Sequence, residues 1–130
     1  MAMIGSRVLV VEDEPDTSRM LEFYFEGEGY VVEIIRTGAD ALARIASEPP
    51  DVVILDVMLP HHDGFTILRH MREAPAWAHV PVIMLTARGS ERDQVSGFGA
   101  GADDYVTKPF QLDALVARVQ RLLKGPAGTG

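Results

Sequence analysis

The sequence predicts a single α/β domain, a doubly wound five-stranded parallel sheet with five helices packed on its two faces. Short apolar runs recur along the chain, and an amphipathic stretch separates each run from the next. The runs are continuously apolar rather than alternating, which is typical of strands that are buried on both faces of a parallel sheet. A chain of 130 residues has the length of one ordinary domain and can bury a substantial core.

The first half of the chain predicts two strand and helix units. An apolar run over residues 7–11 indicates the first strand, which ends at an acidic triplet. Pro15 then opens a helix with apolar residues at helical spacing, and two glycines end it before the second strand at 30–35. A helix over 39–46 follows, and a pair of prolines closes it.

The second half continues the same alternation. The predicted elements are a strand over 52–55 that delivers Asp56, a helix over 64–72, a strand over 80–85 that ends at Thr86, a helix after Ser90, a strand over 105–107 and a helix over 112–123. Gly97 and Gly99 lie within the fourth predicted helix, and each glycine costs a helix about 1 kcal/mol relative to alanine. We therefore expect this helix to shift easily.

Composition narrows the class of function. The net charge of −7 argues against binding to nucleic-acid phosphates by this chain itself, because such binding depends on clustered lysine and arginine. The chain has no cysteine for a disulfide, its first six residues lack the features of a secretory signal, and no apolar run approaches a membrane span. We expect a soluble, cytoplasmic protein without membrane contact.

Five polar residues follow four different predicted strands. Glu12 and Asp13 leave the first strand, Asp56 the third, Thr86 the fourth, and Lys108 the fifth. In a doubly wound sheet the ligand site lies beyond the carboxyl ends of the strands, so these side chains should meet at one rim. Three acids held together raise one another's pKa unless a cation neutralises them, and oxygen ligands suit Mg²⁺.

Within this group Asp56 is the best candidate nucleophile. It ends the most apolar strand, and its carboxylate can attack phosphorus to form an acyl phosphate. Thr86 can donate a hydrogen bond to a phosphoryl oxygen, and Lys108 can pair with the phosphoryl charge. The rigid Pro109-Phe110 unit after Lys108 could fix the direction of its side chain. Each residue alone also has an ordinary interpretation as a solvated strand end.

Four segments together resemble the signature blocks of bacterial response-regulator receiver domains, which have a flavodoxin-like fold. They are residues 10–14 (Val-Val-Glu-Asp-Glu), 56–60 (Asp-Val-Met-Leu-Pro), 86–88 (Thr-Ala-Arg) and 101–110 (Gly-Ala-Asp-Asp-Tyr-Val-Thr-Lys-Pro-Phe). The resemblance covers residues 6–124. It implies a receiver domain over 1–124, followed by a linker or disordered tail over 125–130.

The resemblance implies a chemistry for the predicted rim. Family members bind Mg²⁺ through residues that match Glu12, Asp13, Asp56 and the backbone carbonyl of Met58. They accept a phosphoryl group from the phosphohistidine of a sensor histidine kinase, here onto Asp56. Such a domain is a signalling module rather than an enzyme, because it catalyses only its own phosphorylation and dephosphorylation.

The resemblance also implies how the signal would leave the site. Thr86 would move toward the phosphoryl group, and the aromatic ring of Tyr105 would rotate inward. The change would alter the face made by the fourth helix, the fifth strand and the fifth helix. A fixed strand tyrosine is the ordinary alternative for Tyr105.

Residues 58–60 and 101–105 resemble in particular the OmpR/PhoB-like subfamily, which carries a C-terminal winged-helix DNA-binding domain. DNA would be bound only through such a domain, which is missing from these residues. The resemblance implies a homodimer through the signalling face, with Asp103, Asp104 and Arg118 on it. Another charge pair of the subfamily is absent, because Gln94 and Ala114 stand at its positions.

Two other functions stay open. A phosphohydrolase of the haloacid dehalogenase kind also uses an aspartate nucleophile and Mg²⁺, but it carries a second aspartate two positions later, where this chain has Met58. A stand-alone receiver that acts through protein contacts is the second alternative.

The adjacent His61 and His62 are interpreted as solvent-exposed loop residues rather than metal ligands. Trp77 is interpreted as either a packing residue or part of a contact surface.

Overall fold

The computed structural model describes residues 5–87 and 101–124, and these residues form seven strands and four helices. The strands are β1 Arg7–Val11, β2 Val31–Ile35, β3 Val52–Asp56, β4 Met58–Leu59, β5 His62–Asp63, β6 Val82–Ala87 and β7 Asp104–Lys108. The helices are α1 Pro15–Gly27, α2 Gly38–Arg44, α3 Gly64–Glu73 and α4 Leu112–Lys124. The helix predicted after Ser90, with Gln94, Gly97 and Gly99, lies outside the described residues.

Five of the strands form one parallel sheet in the order β2-β1-β3-β6-β7. The chain runs outward from β1 to β2, and then returns to the other side of β1 to build the rest of the sheet. The order therefore reverses beside β1, and the carboxyl ends of β1 and β3 flank the crevice where such folds bind ligands. The doubly wound parallel sheet predicted from the sequence is confirmed.

The sheet separates two apolar layers. Strand residues alternate between them, as the period of a strand requires. One layer packs β-strand side chains such as Leu9, Leu55 and Met84 against α2 and α3. The other packs side chains such as Val10 and Ile54 against α1 and α4. Helices thus cover both faces, which is why the strand runs are continuously apolar.

Short polar caps fix where the helices begin. The Glu14 carboxylate accepts a hydrogen bond from the Asp16 backbone at the start of α1, and Thr37 does the same for Asp40 in α2. Between β3 and α3 the chain forms a two-residue antiparallel hairpin, β4 with β5, that the sequence analysis did not predict. No helix in the described ranges is long and apolar enough to cross a lipid bilayer.

Candidate functional site

Three carboxylates meet where β1 and β3 end. Val11 of β1 lies opposite Leu55 of β3, so the next residues on each strand, Glu12 and Asp56, are side by side. One carboxylate oxygen from each of Glu12, Asp13 and Asp56 lies within 4.8 Å of the others. Glu12 is fully buried and Asp56 is nearly so. The structure brings these acids together at the predicted rim.

Lys108 supplies the positive charge that faces this cluster. Its ammonium donates a hydrogen bond to Glu12 Oε1 at 2.9 Å and to Asp56 Oδ2 at 2.7 Å. Burial opposes the charged form of Lys108, but the bonds to Asp56 and Glu12 outweigh it and raise the lysine pKa. Burial raises the pKa of Glu12 even though Lys108 acts in the opposite direction. One ammonium does not neutralise three carboxylates, so the cluster favours an additional cation.

Backbone N–H groups hold the other carboxylate oxygen of Glu12 and of Asp56 in place. The Met58 amide donates to Asp56 Oδ1 at 3.0 Å, and the Glu14 amide donates to Glu12 Oε2 at 3.1 Å. Both bonds come from residues two positions later in the chain, so each acid is fixed by its own turn. The carboxylates of Glu12 and Asp56 are therefore oriented by the chain before any ligand binds.

Gly64 lets helix α3 begin directly against the end of β3. A Cβ atom at this position would collide with the Asp56 carbonyl oxygen and would lie 2.8 Å from Val57 Cα. The Gly64 amide instead donates to the Val57 carbonyl at 2.8 Å. Glycine is needed at this position because of this close approach to the end of β3.

Thr86 lies near the end of β6, one residue beyond Leu85, which pairs with Asp56. Its side chain is buried, and its hydroxyl has no hydrogen-bond partner among the described residues. Tyr105 lies opposite Met84 on the neighbouring strand, so Tyr105 and Thr86 are on the same face of the sheet. Tyr105 is buried in the layer that α2 and α3 cover.

The predicted dimer-face residues make contacts within the chain. The Arg118 guanidinium donates to both carboxylate oxygens of Asp104, at 2.7 and 2.8 Å. Asp103 Oδ2 accepts from the Val82 amide at 2.8 Å and from Arg72 at 3.1 Å. Asp103 therefore connects the start of β6 to the start of β7. Arg72, which donates to Asp103, has a structural role that the sequence did not indicate.

The histidines lie apart from the acidic cluster. His61 is exposed and has a positive φ of 63°, while His62 lies partly exposed against Gly38. Within the described ranges, Glu12, Asp13 and Asp56 make up the group suited to hold a metal, and no histidine belongs to it.

Trp77 is a packing residue in this structure. Its ring is buried, and its indole N–H donates to the Ser47 carbonyl at 2.9 Å. The Arg44 guanidinium lies 5.3 Å from the ring centroid, at the distance of a cation–π contact. Trp77 therefore joins the segment before β6 to the end of α2.

A comparison with protein families identifies the class of domain to which this fold and its acidic rim belong. Residues 8–120 match the family described as the response regulator receiver domain. The chain belongs to this family.

Its relatives include transcriptional regulators. It is 46% identical over 118 residues to the transcriptional regulatory protein TrcR of Mycobacterium tuberculosis, a match that covers 91% of this chain and 45% of TrcR. It is 44% identical over 118 residues to the phosphate regulon transcriptional regulatory protein PhoB of Rhizobium meliloti, covering 91% of this chain and 52% of PhoB. The chain thus spans about half the length of these curated relatives.

A solved structure shows the same fold. The receiver domain of the sensor histidine kinase PA1611 from Pseudomonas aeruginosa superimposes with a TM-score of 0.79 at 32% identity. The match covers 92% of this chain and 95% of that domain. That structure has a magnesium ion coordinated in its active site cleft.

Proposed function

We propose that Asp56 accepts a phosphoryl group from the phosphohistidine of a sensor histidine kinase, and that this transfer switches a two-component response regulator. The observation that carries the proposal is the contact of Asp56 Oδ2 with the Lys108 ammonium at 2.7 Å, inside a cluster of three carboxylates. Asp56 is thereby paired with a cation on one oxygen and fixed by the Met58 amide on the other.

In the proposed transfer, the Asp56 carboxylate attacks phosphorus and the bond from phosphorus to the histidine nitrogen breaks. The electron pair of that bond returns to the imidazole ring. The Lys108 ammonium, already at the cluster, compensates the charge on the phosphoryl oxygens. The Thr86 hydroxyl, which has no hydrogen-bond partner in the described part of the chain, is free to donate to one of those oxygens.

The donor set fits Mg²⁺. Glu12, Asp13 and Asp56 offer oxygen atoms within 4.8 Å of one another, and Mg²⁺ prefers a small number of carboxylates together with water and phosphate oxygens. We propose that these residues and the Met58 carbonyl hold the ion. When bound, the ion neutralises the carboxylates and the phosphoryl oxygens, and the reported magnesium in the PA1611 receiver cleft supports this assignment.

The signal would leave through Thr86 and Tyr105. A phosphoryl group that draws Thr86 toward it would change the packing beside Tyr105, which shares a face of the sheet with Thr86. The affected surface would comprise β7, α4 and the helix predicted after Ser90, and it would form a homodimer. Since relatives of about twice this length are transcriptional regulators, we propose that the surface controls a DNA-binding output domain.

The direct test is a mass measurement after incubation with acetyl phosphate and Mg²⁺. The wild-type chain should gain one phosphoryl group, and the Asp56→Asn variant should gain none. Asp51→Asn is a matched control, because Asp51 is exposed next to the opposite end of the same strand. Its labelling should equal that of the wild type.

Two outcomes would favour the alternatives. An unmodified wild-type mass would favour a stand-alone receiver that acts through protein contacts alone. Continuous turnover of a generic phosphate ester, with no accumulation of a labelled chain, would favour a phosphohydrolase. The domain limits at 1–124, the linker at 125–130 and the cytoplasmic location stay predictions.

A further inference from the structure

A cavity of about 440 Å³ opens beside the acidic cluster, between helix α1 and the segment that follows β7. Its lining is largely apolar. In the described part of the chain, the lining residues are Thr17, Met20, Ala87, Lys108, Pro109 and Phe110.

The two ends of this cavity differ in chemistry. Lys108 belongs to the lining, and its ammonium lies 2.7 Å from Asp56 Oδ2. Ala87 follows directly after Thr86, so the cavity adjoins the place proposed for the phosphoryl group. Apart from Lys108 and Thr17 the lining residues are apolar, and one of them, Met20, is 45% exposed. The cavity therefore complements a molecule with an anionic head and an apolar tail.

We propose that this cavity binds the hydrocarbon tail of a small acyl phosphate, so that donors with a tail longer than that of acetyl phosphate are preferred. The inference rests on the proposed function of Asp56. In the step, a carboxylate oxygen of Asp56 forms a bond to phosphorus, and the bond from phosphorus to the donor's carboxyl oxygen breaks. The leaving carboxylate keeps the electron pair, so no proton or further reactant is needed.

The expected preference follows from burial of hydrocarbon. Butyryl phosphate carries two methylene groups more than acetyl phosphate, and its parent acid has nearly the same acidity, so the chemical reactivities match. Because the cavity is open to solvent on one side, we expect only part of the full burial effect, a rate advantage of roughly three- to tenfold for butyryl phosphate.

The test compares the initial rates of phosphorylation by the two donors, each with Mg²⁺, by intact mass. In the wild type the ratio of the butyryl rate to the acetyl rate should be roughly three to ten. Met20→Ser should bring the ratio close to one, because it removes an apolar wall. Phe23→Ser is the matched control: Phe23 is 80% exposed on the same helix and does not line the cavity. It should keep the wild-type ratio.

The outcomes separate this inference from the proposed function. If neither donor labels Asp56, the proposed function itself is wrong. If both donors label Asp56 at equal rates, Asp56 is a phosphoacceptor, the inference is wrong, and the cavity is left to a side chain of a protein partner. A preference for butyryl phosphate that survives Met20→Ser would also overturn the inference.

Discussion

The two ends of the parallel sheet use the same kinds of side chain in opposite ways. At the amino ends of β6 and β7, the Arg72 guanidinium donates to the carbonyls of Gly101 and Val80, each at 2.8 Å, and to Asp103 at 3.1 Å. At the carboxyl ends, one ammonium faces three carboxylates. In the first cluster, one cation donates to several neutral carbonyl groups and to one carboxylate. In the second cluster, the three negative charges outnumber the one positive charge.

This difference separates a structural cluster from a binding cluster. Buried polar groups that are fully hydrogen-bonded stabilise a fold, while charges in excess raise its free energy until a ligand compensates them. The amino end should therefore control stability, and the carboxyl end should control chemistry. Four experiments test this division, from the largest expected effect to the smallest.

Lys108→Ala should lower the rate of phosphorylation by acetyl phosphate by about 100-fold to 1,000-fold, because it removes the charge that compensates the phosphoryl oxygens. The rate is measured by intact mass over time in the presence of Mg²⁺. Lys124→Ala, which removes an exposed lysine at the end of α4, should leave the rate unchanged. If Lys108→Ala were phosphorylated as fast as the control variant, Lys108 would have no role in phosphoryl transfer.

Arg72→Ala should lower the free energy of unfolding by about 2–4 kcal/mol, since it leaves several partly buried carbonyl groups without donors. Urea denaturation measures the loss. Arg69→Ala is the control, because Arg69 on the same helix bonds only to the exposed Thr66 hydroxyl in the described structure. It should change stability by less than about 0.5 kcal/mol. An Arg72→Ala chain that is folded but no longer phosphorylated would contradict the division between the two ends.

Mg²⁺ at about ten times its dissociation constant should stabilise the wild type by about 1.4 kcal/mol relative to EDTA. Asp13→Asn should lose most of this gain, because it removes one of the three proposed carboxylate ligands. Asp16→Asn changes an exposed acid one turn along the chain and should keep the gain. Thermal denaturation with and without the ion measures all three proteins, and equal gains would place the ion elsewhere.

Thr86→Val should raise the free energy of unfolding by up to about 1 kcal/mol, because it removes a buried hydroxyl that lacks a partner and keeps the shape of the side chain. Thr107→Val changes the residue opposite Thr86 on the next strand and should alter stability by less than about 0.5 kcal/mol. Urea denaturation compares the two variants. A clear loss of stability in Thr86→Val would show that the hydroxyl is already bonded.

The sequence was sufficient to predict the fold and the meeting of the acids. Strand β1 has the predicted bounds, because its apolar run stops at Glu12, and the parallel topology then brings the residues after each strand to one rim. Strand β6 begins two residues later than predicted, after Pro81. Proline cannot donate a hydrogen bond to a neighbouring strand.

The sequence could not predict contacts whose acceptors are backbone groups. The Gly101 carbonyl that Arg72 binds is 29 positions away in the chain, and every residue has a carbonyl, so no side-chain pattern marks it. The close approach of Gly64 to the Asp56 carbonyl oxygen is likewise a backbone contact, so no side-chain pattern predicts it. The β4 and β5 hairpin strands have two residues each and are too short to show a periodicity.

The ion pair between Asp104 and Arg118 has a consequence for self-association. Within each chain the two residues already pair with each other, and an Arg118 guanidinium nitrogen lies 2.7 Å from Asp104 Oδ2. Two chains that exchanged these partners across a two-fold axis would break two such pairs and form two, so the exchange would conserve the number of ion pairs. The pair would then select the geometry of a dimer, while other contacts on the surface would have to supply its affinity.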